Sequence, residues 1–102
     1  MTIEPDTIAL EETGSKGRYV YRSGADEAEM TFSKAGEGLV IIDHTEVPDA
    51  FRGQGVGLAL VSRAVADARA AGKQVLPLCP FAASQFRRHP EWADLLQERK
   101  RA

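Results

Sequence analysis

Thr45-Glu46-Val47-Pro48-Asp49-Ala50-Phe51-Arg52-Gly53-Gln54-Gly55-Val56-Gly57-Leu58 is the stretch on which the fold turns. An apolar, β-branched run over residues 39–47 leads into it, and an alanine-rich segment leads out of it. The spacing of Val56, Leu60, Val61, Ala64, Val65 and Ala68 predicts a helix over 55–72. The stretch therefore reads as strand, glycine turn, helix. No Ser, Thr, Asp or Asn lies between Arg52 and Leu58 to cap that helix. A helix start carries backbone N–H donors without intrahelical partners, and side-chain oxygens normally satisfy them. Here the expected partner is an anion, drawn by those donors and by the positive end of the helix dipole.

Toward the N-terminus, Arg18-Tyr19-Val20-Tyr21-Arg22 is rich in β formers, and residues 28–33 alternate apolar with polar. Ser23-Gly24-Ala25-Asp26 between them is a turn signal, so the pair reads as a hairpin. Ala35-Gly36-Glu37-Gly38 makes a second turn into the long strand 39–47, giving a three-stranded antiparallel meander. A short strand near 8–10 follows a frayed start. Toward the C-terminus, Gly72 suits the position just past a helix end, with Arg69 and Lys73 near the negative pole. Residues 74–79 form a further strand, parallel to 39–47 because a crossover helix joins them. Pro77 cannot donate to a ladder and demands an edge, a bulge or a local separation. A short helix over 81–88 follows. Pro90 opens a last helix over 91–97, and the tail 98–102 is expected to be mobile. The fold class is α+β (mixed α/β): an antiparallel β-meander, then a β-α-β crossover, then C-terminal helices, in one domain spanning 1–102. The glycine turn lies at the carboxyl end of a strand, where open sheets bind ligands.

The chain has 102 residues, enough for one domain with one core. Hydrophobic residues at 43% and charged residues at 27% fit a globular protein. Formal net charge is −2, which favours no partner, but its distribution is uneven. Residues 1–51 carry 4 basic and 11 acidic side chains; residues 52–102 carry 9 basic and 4 acidic ones. The glycine turn opens the electropositive half, as a phosphate-bearing ligand requires. No Arg/Lys run with interleaved aromatics points to nucleic acid. Cys79 is the single cysteine, so no intrachain disulfide and no metal site of Cys/His spacing is expected. The acidic start lacks the apolar core of a signal peptide. No run approaches the roughly 20 apolar residues of a membrane span. A cytoplasmic location without membrane partners is the default expectation.

Two familiar glycine loops fail. Gly53-x-Gly55-x-Gly57 lacks the dinucleotide spacing G-x-G-x-x-G, and Leu58 and Ala59 stand where a nucleotide P-loop needs Lys and Ser/Thr. What remains, Arg52-x-x-Gly55-x-Gly57 between strand and helix, resembles the acetyl-CoA pyrophosphate loop of GNAT-type N-acetyltransferases. The longer string is more specific: Asp43-His44-Thr45-Glu46-Val47-Pro48, the loop, Pro77-Leu78-Cys79-Pro80-Phe81 and Arg87-Arg88-His89-Pro90-Glu91. It resembles the small stand-alone GNAT-like acetyltransferases over about residues 18–97. The resemblance implies a GNAT-like fold with a splayed parallel strand pair, acetyl-CoA as cofactor and an amine, on a small molecule or a protein, as acceptor. It implies cofactor binding by the backbone of Val47 and by Arg52, Gly53, Gln54, Gly55, Val56, Gly57 and Leu58. The glycines let the backbone approach a diphosphate, and Arg52 adds charge.

Acetyl transfer to nitrogen needs a neutral amine, a stabilised oxyanion and a protonated leaving thiolate. Strand alternation places His44 and Glu46 on one face, about 7 Å apart by rise, and either can take the amine proton. Glu46 lies nearer the cofactor end. Each also has a plain reading, His44 as a satisfied histidine and Glu46 as an acceptor at a strand end. Many GNAT-like enzymes carry a tyrosine acid on the helix after the last parallel strand, and close relatives often have it where this chain has Gln85. No tyrosine follows Tyr21. Cys79 is then the candidate for protonating the thiolate or for accepting the acetyl group, against its reading as a small core residue. Arg87 and Arg88 suit a helix end, and Trp92, Leu95 and Leu96 suit a core. Two other functions compete with the enzyme: a non-enzymatic acyl-CoA-binding or sensing module, and an interaction domain that uses the fold without a ligand.

Overall fold

A computed structural model describes residues 7–97. The expected frayed start and the expected mobile tail at 98–102 fall outside or at the margin of these residues. Strand β1 (Ala9–Thr13), β2 (Lys16–Ser23), β3 (Asp26–Ala35) and β4 (Leu39–Glu46) form a meander of four strands, one more than the three joined in sequence by the turns noted above. The β2–β3 turn has Gly24 at φ +61° as the first of two loop residues, where a left-handed conformation excludes most side chains. A single-turn 3-10 helix, Asp49–Phe51, then leads to helix α1 (Val56–Ala71). Strand β5 (Gln74–Pro77) pairs parallel to β4 and completes a five-stranded sheet in the order β1-β2-β3-β4-β5. Helix α2 (Pro80–Arg88) and a 3-10 turn, Pro90–Trp92, follow.

The sheet has two unlike faces because its side chains alternate. Tyr19, Met30, Phe32 and Ile42 lie on the face covered by α1, which buries Val56, Leu60, Val61, Ala64, Val65 and Ala68 against them. A polar clasp fixes α1 there. The Tyr19 hydroxyl donates to Asp67 Oδ2 at 2.8 Å, and Arg63 Nε donates to the same carboxylate at 3.1 Å. Burial pushes the Tyr19 phenol well up, and the Asp67 carboxylate adds to this, so the hydroxyl stays a donor. Among the described residues no helix covers the opposite face. At its centre Arg18 donates to Glu11, Glu27 and Glu29 at 2.8, 3.2 and 2.6 Å.

A β-bulge interrupts β4. Thr31 of β3 pairs with His44 and Phe32 with Ile42, which leaves Asp43 as an extra residue. Asp43 Oδ2 accepts from Ser33 Oγ at 2.7 Å on the open face. Past the bulge, Thr45 pairs with the buried Met30 on the α1 side, so His44 and Glu46 face the open side.

Strands β4 and β5 part at their carboxyl ends. Their pairing stops at Ile42–Pro77, whereas β4 stays paired with β3 as far as Glu46. The Ile42 carbonyl accepts from both Leu78 (3.1 Å) and Cys79 (3.2 Å), and the chain then turns into α2. The expected strand 74–79 is thus two residues shorter, because Pro77 ends the ladder and Cys79 becomes the N-cap of α2. The expected helix over 91–97 is not formed. After Pro90–Trp92 the chain turns through residues 93–95, and Leu96 then makes a single parallel bridge to Val75 on the outer edge of β5. Val75 N–H donates to Leu95 O at 2.7 Å and Gln97 N–H donates to Val75 O at 2.9 Å. The unpaired edge of β5 outcompetes helix continuation, and the clip protects that edge.

Candidate functional site

The loop after β4 is held by Phe51, which is buried and meets the Tyr21 ring edge-on at 5.2 Å between centroids. Its first amides are spent internally. Arg52 N–H donates to Asp49 O at 3.0 Å, and Gln54 N–H donates to Phe51 O at 3.1 Å. Gln54, placed among the candidate donors, therefore has its backbone N–H occupied. Gly53 and Gly55 have φ of +78° and +74°, where a side chain is strained. The first bond of α1 is Ala59 N–H to Gly55 O at 3.0 Å. Among the described residues nothing accepts from the N–H groups of Gly55, Val56, Gly57 and Leu58. No side chain caps the helix and no acid lies in its first turn. Four adjacent donors at the positive end of a 16-residue helix are thus open to an anion.

Gly57 is a glycine for another reason. A Cβ there would lie 2.6 Å from Cζ of Phe81, whose ring rests on the first turn of α1. Arg52 is paired only with Asp49, at 3.2 Å, and both side chains are more than four-fifths exposed. Such a pair is worth little and leaves the guanidinium able to swing toward a ligand. Val47 follows β4 with its side chain partly exposed.

Two of the candidate catalytic residues lie together, and the third is on the other side of the strand. His44 Nε2 and Glu46 Oε2 are 3.7 Å apart on the open face, with side chains 62% and 71% exposed. A hollow of about 500 Å³ opens on the same face, lined in part by Glu11, Lys16, Arg18, Thr31 and Asp43. Cys79 is buried on the α1 side, where the strands part, and its thiol donates to Thr45 Oγ1 at 3.4 Å. Burial alone would push this thiol up. The Thr45 hydroxyl and the amide dipoles of Ala82 and Phe81 outweigh burial and hold it below its ordinary value. Those amides make no formal capping bond to the sulfur, so their effect is that of a helix start facing a thiolate.

Sequence reasoning missed Thr45, Asp43 and Phe81. The bulge that carries Asp43 leaves no mark in an apolar–polar pattern. The signal for Phe81 was Gly57 itself, a helical glycine that has to have a close neighbour. Arg87 and Arg88 are exposed in the last turn of α2, where basic residues complement the dipole. His89 Nδ1 lies 3.1 Å from Glu91 and its ring stacks on Trp92 at 4.2 Å, a packing role. Among the described residues no group of His, Cys, Asp and Glu is arranged to hold a metal ion, and no helix is long and apolar enough to cross a membrane.

A solved structure shares this fold. The solution structure of a GCN5-like candidate N-acetyltransferase from Staphylococcus aureus superposes with a TM-score of 0.67. The match covers 92% of each chain at 24% sequence identity, which shows the fold. No curated protein matches the chain. The profile of the GCN5-related N-acetyl-transferase family matches residues 18–95, a span that holds most of β2, then β3, the glycine loop, α1 and the parted strands β4 and β5. The chain belongs to the GCN5-related N-acetyltransferase family.

Proposed function

We propose that the protein transfers the acetyl group of acetyl-CoA to an amine. The observation that carries this is the row of open N–H groups from Gly55 to Leu58 beside strands that part. The residues present fit the ligand: four donors and the helix dipole for a diphosphate, Arg52 for further charge, Gly53 and Gly55 for the tight turn. Among the described residues the β5-side edge of β4 beyond Ile42, and on to Val47 past the strand's end, has no strand beside it and suits the amide-bearing arm. When bound, acetyl-CoA supplies an activated thioester whose acyl group passes to nitrogen as the thiolate leaves.

The acceptor approaches from the open face. The exposed carboxylates of Asp43 and Glu46 on that face favour a cationic amine. Glu46 or His44 takes its proton, directly or through water. Cys79 Sγ either protonates the leaving thiolate or accepts the acetyl group, in which case a new S–C bond replaces that of the carrier before the amine attacks. An acyl-CoA-binding module is the second reading. It is favoured by Gln85 at the position of an expected acid and by the exposure of both candidate bases.

Thermal melting with acetyl-CoA tests the ligand. At about a hundred times Kd a rise on the order of 10 °C is expected, and no shift would sink both readings. Release of free thiol with a panel of amines and lysine peptides tests the transfer. Binding with no turnover on any acceptor would favour the module.

A further inference from the structure

The hollow of about 500 Å³ on the open face crosses four strands, from Thr13 on β1 through Lys16 on β2 and Thr31 on β3 to Asp43 on β4. It reaches the candidate bases, because Thr31 pairs with His44 across the strands and its Oγ1 donates to the His44 carbonyl at 3.5 Å. The charged groups that line it are of two kinds. Arg18 and Glu11 are bound to each other at 2.8 Å; Arg18 also holds Glu27 and Glu29, and Glu11 also holds Arg22. Lys16 and Asp43 stand outside that network. Among the described residues the Lys16 ammonium has no hydrogen bond or ion pair, and Asp43 meets only the neutral Ser33 hydroxyl, at 2.7 Å. Lys16 pairs with Ser33 on β3, and Ser33 reaches Asp43 on β4. The two residues therefore stand level on strands two apart, with roughly 10 Å between their backbones by strand spacing.

A cation and an anion that face one hollow from opposite sides, each without a charged partner, match a ligand that carries the two opposite charges. A plain amine would meet Asp43 but would gain nothing from Lys16. We propose that this hollow is the acceptor subsite and that the acceptor is a short amino carboxylate: Lys16 receives its carboxylate and Asp43 its ammonium. His44, the next residue along β4, is then the nearer of the two bases to the amine. The inference rests on the acetyl-transfer reading and names the class of its acceptor.

γ-Aminobutyrate and butylamine, which differ by the carboxylate, are the probes. Titrated into the isotope-labelled protein without coenzyme A and followed by NMR, γ-aminobutyrate is expected to shift the amides of Lys16, Thr31 and Asp43. Butylamine at the same concentration is expected to leave them in place. In free-thiol release with acetyl-CoA, kcat/KM is expected to be higher for γ-aminobutyrate than for butylamine. Lys16→Met is expected to lower the first about three- to fivefold, the weight of one solvent-facing ion pair, and to leave the second unchanged. Lys16→Arg, which keeps the charge, is expected to keep the preference. Lys16→Met should melt at the wild-type temperature, because no described side-chain contact is lost. An equal response of the wild type to both probes, or a Lys16→Met variant that retains the preference, would overturn the proposal while leaving the acetyl-CoA reading standing. If neither probe is acetylated, the titration decides by the same comparison. A wild-type protein that binds no coenzyme A removes that reading and the acceptor assignment with it.

Discussion

At the residue scale, the three loop glycines have different causes. Gly53 and Gly55 are set by backbone conformation, and Gly57 is set by the Phe81 ring. Gly55→Ala is expected to cost about 1–2 kcal/mol from the left-handed conformation alone. Gly57→Ala has no backbone penalty but collides with Phe81. The collision is expected to cost about 1–3 kcal/mol unless the ring swings out. A double-mutant cycle by urea unfolding checks this: with Phe81→Ala in place, Gly57→Ala should cost little or become stabilising. Strict additivity would mean that the contact does not govern Gly57. Cys79 gives a pH-dependent expectation. Its thiol is held low, so the thiolate fraction at a given pH exceeds that of an ordinary cysteine. The rate of iodoacetamide modification, followed by intact mass, should reach its midpoint at lower pH than in the urea-unfolded chain. Thr45→Val should move that midpoint up, since the hydroxyl no longer stabilises the thiolate. An unmoved midpoint would assign the shift to α2 alone. The covalent route has its own readout: incubation with acetyl-CoA should add an acetyl group that Cys79→Ala abolishes.

At the element scale, two departures from regular structure make the site. The bulge at Asp43 turns His44 and Glu46 to the open face and Thr45 toward Cys79. Pro77 ends the β4–β5 ladder, so the strands part at their carboxyl ends. The segment after α2 holds the short β5 in place. Its anchors are Trp92 and Leu95, both buried, and Arg69, which donates to Asp94 at 2.7 Å. Trp92→Ala removes the ring that packs on both Phe86 and His89. It is expected to cost about 3–5 kcal/mol, read by urea denaturation followed by circular dichroism. A cost under about 1 kcal/mol would mean that the clip holds β5 through its backbone bonds alone.

At the scale of the whole molecule, the sheet separates an apolar side from an ionic one. The α1 side is a hydrocarbon core closed by the Tyr19–Asp67 clasp. The other side is a network in which Arg22 and Arg18 hold Glu11 and Glu27 below the ordinary carboxylate value, through direct hydrogen bonds. Hydrogen bonds to Glu29 and Glu11 push the Arg18 guanidinium further up, so it stays charged throughout. A carboxylate with a depressed folded pKa binds fewer protons folded than unfolded over the interval between its two values. Its contribution is therefore complete above the unfolded value and is lost as pH falls through the folded one. The melting temperature is expected to be level near neutrality and to fall below about pH 5. The fall should be shallower in Arg18→Met. An equally steep fall in that variant would place the acid-sensitive groups elsewhere.

Much of this was legible in sequence because local physics wrote it there. β formers marked β2, alternation marked β3, the 3.6-residue period marked α1, and a glycine loop without a capping side chain marked the uncapped start of that helix. Pro77 announced an edge, a bulge or a separation by the hydrogen bond it cannot make, and the structure has it at the end of the edge strand where the pair parts. The face shared by His44 and Glu46 also came from alternation, although the bulge places that face away from the core. What sequence could not decide depends on contacts between distant segments. Residues 91–97 have helical spacing of Trp92 and Leu95, but the free edge of β5 holds Leu95 and Gln97 through backbone bonds to Val75. The thiol of Cys79 is tuned by Thr45, thirty-four positions earlier, and Gly57 answers to Phe81 on another helix. Periodicity and turn chemistry are properties of neighbours along the chain, so the sequence by itself determined the elements up to α2 and the glycine loop. Which side chains meet, and which polar groups are left without partners, arise only when those elements pack, and that was decided by the tertiary structure.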